Sequence, residues 1–172
     1  MQYSIVVHPF TLIEEIRNIK QELKRRIGWY PSVNSLAHFT ISQFKCDSTT
    51  LQEIQKRVRD RILNWEIREI LLDGFGFFEN SKTLYIRPEK HSCLYLEQLF
   101  AAVGEQVRAV VAEAYICTHP HLSIGRSLKP EQMAIANRLF NNYSGNFVCE
   151  GVMFREFNPE RKQYDLKEFI RF

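Results

Sequence analysis

The chain has no long apolar run, no paired cysteines and little net charge, and each absence removes a class of protein. No apolar stretch approaches the roughly 20 residues that a helix needs to cross a bilayer. The opening "MQYSIVVHPF" has neither a basic n-region nor a signal-type apolar core. A cytoplasmic protein that stays out of the membrane is expected. The four cysteines, Cys46, Cys93, Cys117 and Cys149, lie far apart with no CxxC, so neither a zinc ribbon nor a thiol redox motif is written, and reduced core thiols are expected. A formal charge of +3 is too weak for a nucleic-acid clamp, which shows as a dense basic face. Small phosphorylated ligands remain compatible with it. The basic run "KQELKRR" belongs to a helical pattern and reads as its solvated side.

What is present is ordinary for a globular protein: 172 residues, 45% apolar and 25% charged, enough to close one core without metals or cross-links. Residues 1–172 are read as a single domain. Alternating Tyr3, Ile5 and Val7 give a first strand that stops at Pro9. Thr11 and Glu14 read as a capping box for a helix with Leu12, Ile16, Ile19, Leu23 and Ile27 on one side and Gly28 as its stop. After the loop "GWYPSVNSLA" comes a strand beginning "HFTI". Thr50 and Glu53 then repeat the capping pattern ahead of Leu51, Ile54, Val58 and Ile62, and the strand "EIREILLD" closes the unit.

The same order then begins again. "KTLYIRP" is a short strand, Leu96, Leu99, Val103, Val107 and Val110 mark a helix, and "HLSI" follows; Pro130 opens another helix, and "GNFVCEGVMF" reads as a strand. The two units, about 80 residues apart, predict an internal duplication with approximate repeats 1–73 and 83–156. "DGFGFFENSKTLYI" reads as two strands joined by a turn at Glu79, Asn80 and Ser81, and "YDLKEFIRF" as a last strand. Helices mixed with hairpins predict an α+β fold: a bilobal, pseudo-twofold arrangement of two antiparallel sheets with outer helices and a cleft between the lobes.

Each unit carries a histidine followed two residues later by a hydroxyl: His38 with Thr40, and His121 with Ser123. Residues two apart on a strand share a face, so imidazole and hydroxyl stand side by side. Related by a pseudo-twofold axis, the two pairs would flank one small group such as a phosphate. Transfer at a phosphodiester beside a ribose hydroxyl needs a proton removed on one side and delivered on the other. Two imidazoles can do both near neutral pH, while the hydroxyls hold the non-bridging oxygens. No metal or other cofactor is needed. A single H-x-[ST] carries little information; two at matching places in a repeated order carry much more.

"HFTI" and "HLSI", the latter within "PHLSIGR", resemble the motifs of the two-histidine phosphoesterases, in particular the branch of 2'-5' RNA ligases and RNA 2',3'-cyclic phosphodiesterases. The opening strand ending in proline, "LLDGFGFF" before "LYIRP" and the helix before the second motif extend the resemblance over nearly the whole chain. It implies metal-independent cleavage of a 2',3'-cyclic phosphate or related diester, with His38 and His121 as acid and base and Thr40 and Ser123 on the phosphate. It also implies an RNA end or small nucleotide as substrate; no obligate protein partner is expected. Ser123 stands where threonine is also common in the family.

Other candidates are weaker. Arg126 follows the second motif and could neutralise phosphate charge, although strict alternation points it away from His121. His119 and His121 form an H-x-H pair that could hold zinc, with Pro120 between them and no clear third ligand. His8 ends the first strand and reads as structural, and His91 sits in a polar stretch. Tyr30 and Phe10 flank loops where a ring could stack on a base, although packing is the more ordinary use for each. A nucleotide-binding module without catalysis is the competing function, and it would not require two proton-transfer groups.

Overall fold

The computed structural model describes all residues 1–172. In chain order the elements are β1 (Gln2–Val7), α1 (Ile13–Ile27), β2 (Phe39–Lys45), α2 (Ser48–Ile62), β3 (Arg68–Phe78), β4 (Thr83–Pro88), α3 (Lys90–Arg108), β5 (Tyr115–Ile116), β6 (Leu122–Gly125), α4 (Pro130–Leu139), β7 (Ser144–Cys149), β8 (Gly151–Asn158) and β9 (Gln163–Arg171). The fold is α+β, and its pairings are antiparallel.

The strands run in the order β7-β3-β4-β6-β2-β1-β8-β9, with β5 added beside β2. The two sheets expected for the lobes are present as the two halves of this order. They meet at the centre, where Phe39 of β2 faces Leu122 of β6 and makes one continuous curled sheet. Counted outward from that junction, β2 and β6 correspond, as do β1 and β4, then β8 and β3. The last strand of each sequence unit therefore lies in the opposite half: β3 pairs with β4, and β8 pairs with β1. Helix α3 packs behind β2 and α1 behind β6, so the helices cross over as well.

The helical periodicities are observed as burial. Ile16 and Leu23 of α1, Ile54, Val58 and Ile62 of α2, and Leu96, Leu99, Val103 and Val107 of α3 are all fully buried. With Ile5, Phe39, Ile41, Ile86, Leu122 and Ile124 from the strands they form a single core. Gly28 ends α1 at φ 79°, in the left-handed region that a Cβ disfavours.

Helix starts and strand ends differ from the sequence reading. Phe10–Leu12 form a 3-10 turn, α1 begins only at Ile13, and Leu12 caps it without a side-chain bond, so the Thr11 and Glu14 box is not made. Helix α2 starts earlier than expected because the Asp47 carboxylate accepts from the Thr50 amide and serves as the cap. "GNFVCEGVMF" divides at Glu150 into β7 and β8. "REILLDGFGFF" is one strand that bends between Leu72 and Phe75, where Gly74 takes φ 74°. The two-residue β5 had no periodic signal to announce it.

Candidate active site at the junction of the two half-sheets

Phe39 and Leu122 are both fully buried in the core. Alternation therefore turns their neighbours to the other face: His38 and Thr40 on one strand edge, His121 and Ser123 on the next. Continuing the antiparallel register sets His38 beside Ser123 and Thr40 beside His121, which leaves the two histidines on a diagonal. Diagonal neighbours in such a ladder lie about 7–8 Å apart, with their Cβ atoms somewhat closer, a spacing that one tetrahedral anion can bridge between imidazole tips. The four motif residues are thus gathered on one face.

Both imidazoles are held in the same way. His38 Nδ1 donates to the Leu36 carbonyl at 2.6 Å, and His121 Nδ1 to the His119 carbonyl at 2.7 Å. A carbonyl can only accept, so each bond fixes the proton on Nδ1 and leaves Nε2 without a partner in the protein. Burial pushes the His38 imidazole well below its usual value near 6.5, and the Arg155 charge adds to the shift. His121 is also lowered, first by burial and further by Arg126; the His119 carbonyl opposes the shift.

The segment before β2 supplies the carbonyl that holds His38, and α1 holds that segment. Buried Lys20 donates to the Ser35 carbonyl at 2.7 Å, the Ser35 hydroxyl at 3.0 Å and the Ser32 carbonyl at 3.4 Å. The Ser32 hydroxyl accepts from the Arg126 amide at 3.0 Å. One loop is therefore tied to both motif strands. Buried His8 donates from Nδ1 to the Ala37 carbonyl at 2.7 Å, and its ring lies 6.1 Å from that of His38.

On the other side, Phe78 stacks on Tyr85 at 4.2 Å, and both rings meet His121 edge-on, at 4.8 and 5.6 Å. Gly76 permits this arrangement, since a Cβ there would come within 2.5 Å of the Tyr85 ring. Arg126 lies just beyond β6, so alternation no longer constrains it. It is exposed, and its charge reaches both His121 and Tyr164.

Tyr30 is the correction. It is 1% exposed and its hydroxyl donates to the Lys20 carbonyl at 3.0 Å, so it braces α1 and touches no open surface. His119 is exposed, its ring bonded to Thr118, and no group of three potential metal ligands forms around it. Phe10 is 46% exposed and packs edge-on against Phe169 at 5.7 Å. His91 is exposed at the start of α3. The sequence reading missed Lys20, Phe78, Tyr85 and Arg155. An arginine inside the apolar run "VMFREF" was the one local signal for the last of these; strand order alone brings it toward His38.

A family model described as the 2'-5' RNA ligase superfamily matches residues 6–158. Among solved structures, LigT of E. coli complexed with 3'-AMP superposes with a TM-score of 0.73 at 12% identity, over 99% of this chain and 96% of that one. The Thermus thermophilus protein TT0787 gives 0.68 at 16% identity, over 99% and 97%. Usb1 of Kluyveromyces marxianus gives 0.55 at 12%, over 99% and 98%. A search of curated proteins found no match. At these identities the structural likeness is one of fold.

Proposed function

This chain belongs to the 2'-5' RNA ligase superfamily, and from that we propose that it is a metal-independent phosphodiesterase of 2',3'-cyclic phosphates or 2'-5'-linked RNA ends, or of small nucleotide derivatives. His38 and His121 act as the acid and base. The observation that carries the reading is the pairing of Phe39 with Leu122, which turns both His-x-hydroxyl motifs to one face of the sheet.

In hydrolysis of a cyclic phosphate, Nε2 of the neutral imidazole takes a proton from water as the water oxygen bonds to phosphorus. The bond from phosphorus to one ribose oxygen breaks, and the second imidazolium delivers its Nε2 proton to that oxygen. Thr40 and Ser123 donate their hydroxyl protons to the non-bridging oxygens, where charge accumulates. Each positioned acid or base contributes about 10²–10⁴ in rate. With a ribose 5'-hydroxyl in place of water as the nucleophile, the same steps break the bond from phosphorus to the 3'-oxygen, protonate that oxygen and leave a 2'-5' linkage, which is the reverse of cleaving a 2'-5'-linked end. A binding module would not require two imidazoles with Nε2 left free, and that requirement favours the enzyme.

The test is to incubate the purified protein, with chelator present, with 2',3'-cyclic nucleotides, cyclic-phosphate RNA ends and 2'-5'-linked oligonucleotides, and to locate the phosphate in the product. Turnover that survives the chelator and always breaks the same phosphorus–oxygen bond is expected. Turnover that requires added metal would contradict the proposal.

A further inference from the structure

Arg155 of β8 is only 4% exposed, yet no carboxylate neutralises it. Of the five N–H donors of a guanidinium, the protein uses one: Nε donates to the Ser4 hydroxyl at 3.1 Å. Its Cζ lies 5.0 Å above the Tyr164 ring. Neither nearby acid pairs with it: Glu156 pairs with Lys167, and Asp165 lies against Arg161 and accepts from Asn158. A buried cation left without an anion is costly, and its retention points to an anion supplied from outside.

The register says where that anion sits. Ser4 and Arg155 are opposite one another, and they share the face of Thr40 because their neighbours Ile5 and Phe154 are in the core. Thr40 pairs with Val6, and Val6 with Met153. Arg155 is therefore two residues along and two strands over from Thr40, about 12 Å between Cα atoms from standard strand spacings. Along the strands it is displaced from Thr40 toward Gln43, which pairs with Ser4, and its charge is felt by His38 and His8, while the Arg126 charge is felt by His121, Tyr164 and Lys20. Ser4 fixes Nε, and the guanidinium carbon rests over the Tyr164 ring. The pair of terminal nitrogens is left as a planar fork, the geometry that grips two phosphate oxygens.

We propose that Arg155, braced by Ser4 and Tyr164, is a second phosphate subsite that receives a phosphoryl group one nucleotide away from the reacting phosphorus. The proposal rests on the phosphodiesterase reading, which it deepens. It makes the preferred substrate one with two phosphates, and the second is either a 5'-phosphate or the next internucleotide diester. A bare cyclic mononucleotide leaves the subsite empty.

Calorimetric binding of adenosine 3'-monophosphate and adenosine 3',5'-bisphosphate tests the subsite without requiring turnover. The wild-type chain should bind the bisphosphate about tenfold or more tightly. Arg155→Gln should reduce that ratio to about twofold or less while the monophosphate affinity stays within about threefold. Arg155→Lys should restore the preference only in part. Equal wild-type affinities would overturn the proposal with no variant needed, and so would an equal loss for both ligands in Arg155→Gln. Turnover of adenosine 2',3'-cyclic phosphate, its 5'-phosphorylated form and a cyclic-phosphate dinucleotide then separates the sources, since the arm that Arg155→Gln depresses names the occupant. A binding preference with no turnover of any arm would remove the enzymatic reading and leave the subsite standing. Turnover with no preference would do the reverse.

Discussion

At the scale of single residues, the site depends on where two protons rest. The carbonyls of Leu36 and His119 hold Nδ1–H of His38 and His121, so both rings present the same tautomer with Nε2 outward. Both are also made less basic than a free histidine, chiefly by burial. The proposed acid–base pair requires one ring neutral and the other protonated, a state favoured in the free protein on the acid side of the ordinary histidine value because burial lowers both imidazoles. The profile of kcat/KM, which reports the free protein, should peak on the acid side of 6.5; that of kcat should lie at higher pH, because a bound phosphate anion favours both imidazolium forms. Initial rates across pH 4–9, roughly the range in which imidazoles titrate, check this. A kcat/KM optimum above pH 7, well past the ordinary histidine value, would contradict it. The identities of His38, Thr40, His121 and Ser123 were legible in the sequence because strand alternation alone pairs each imidazole with its hydroxyl. Arg155 and Lys20 were not, since their importance comes from burial without a carboxylate, and no local pattern encodes that.

At the scale of elements, the loop between α1 and β2 matters more than its irregular sequence suggests. "SVNSLAH" carries no periodicity, yet it supplies the carbonyls that orient His38 and His8, and Lys20 pins it from beneath. Burial, with a contribution from Arg126, pushes the Lys20 amine down to about 8. Lys20→Met keeps the apolar stem but leaves the oxygens of Ser32 and Ser35 without their donor. The expected cost is about 1–3 kcal/mol of stability, read from the shift in urea midpoint. Turnover should fall as well, because the Leu36 carbonyl is no longer held in place. An unchanged midpoint together with unchanged turnover would show that the loop holds itself. Elements with strong periods, the helices and the strands around both motifs, could be read directly. Their ends were less legible: the Asp47 cap displaced the start expected at Thr50, and Gly74 allowed two expected strands to run on as one bent strand.

At the scale of the whole molecule, the sheet order is symmetric about the Phe39–Leu122 junction, the arrangement that an internal duplication produces. Periodicity gave the sequence of elements but not their exchange, because strand pairing depends on contacts far apart in the chain. The exchange has a consequence for folding. β3 finds both partners in the second half of the chain, and β1 needs β8 on its outer edge. A fragment of residues 1–80 should therefore show no cooperative thermal transition by circular dichroism, whereas the same fragment mixed with 81–172 should regain one. A sharp melt from residues 1–80 alone would mean that the first half carries its own closed core.

The most direct test of the central claim, that two imidazoles serve one phosphorus atom, is the single-turnover rate on a 2',3'-cyclic phosphate with chelator present, measured for the wild-type chain, His38→Ala, His121→Ala and the double variant. Each single change should lower the rate by about 10²-fold or more while the thermal melt survives, and the double variant should be little slower than the worse single one, because the two groups act as a unit. Hydrolysis that persists near the wild-type rate with either imidazole removed would contradict the account.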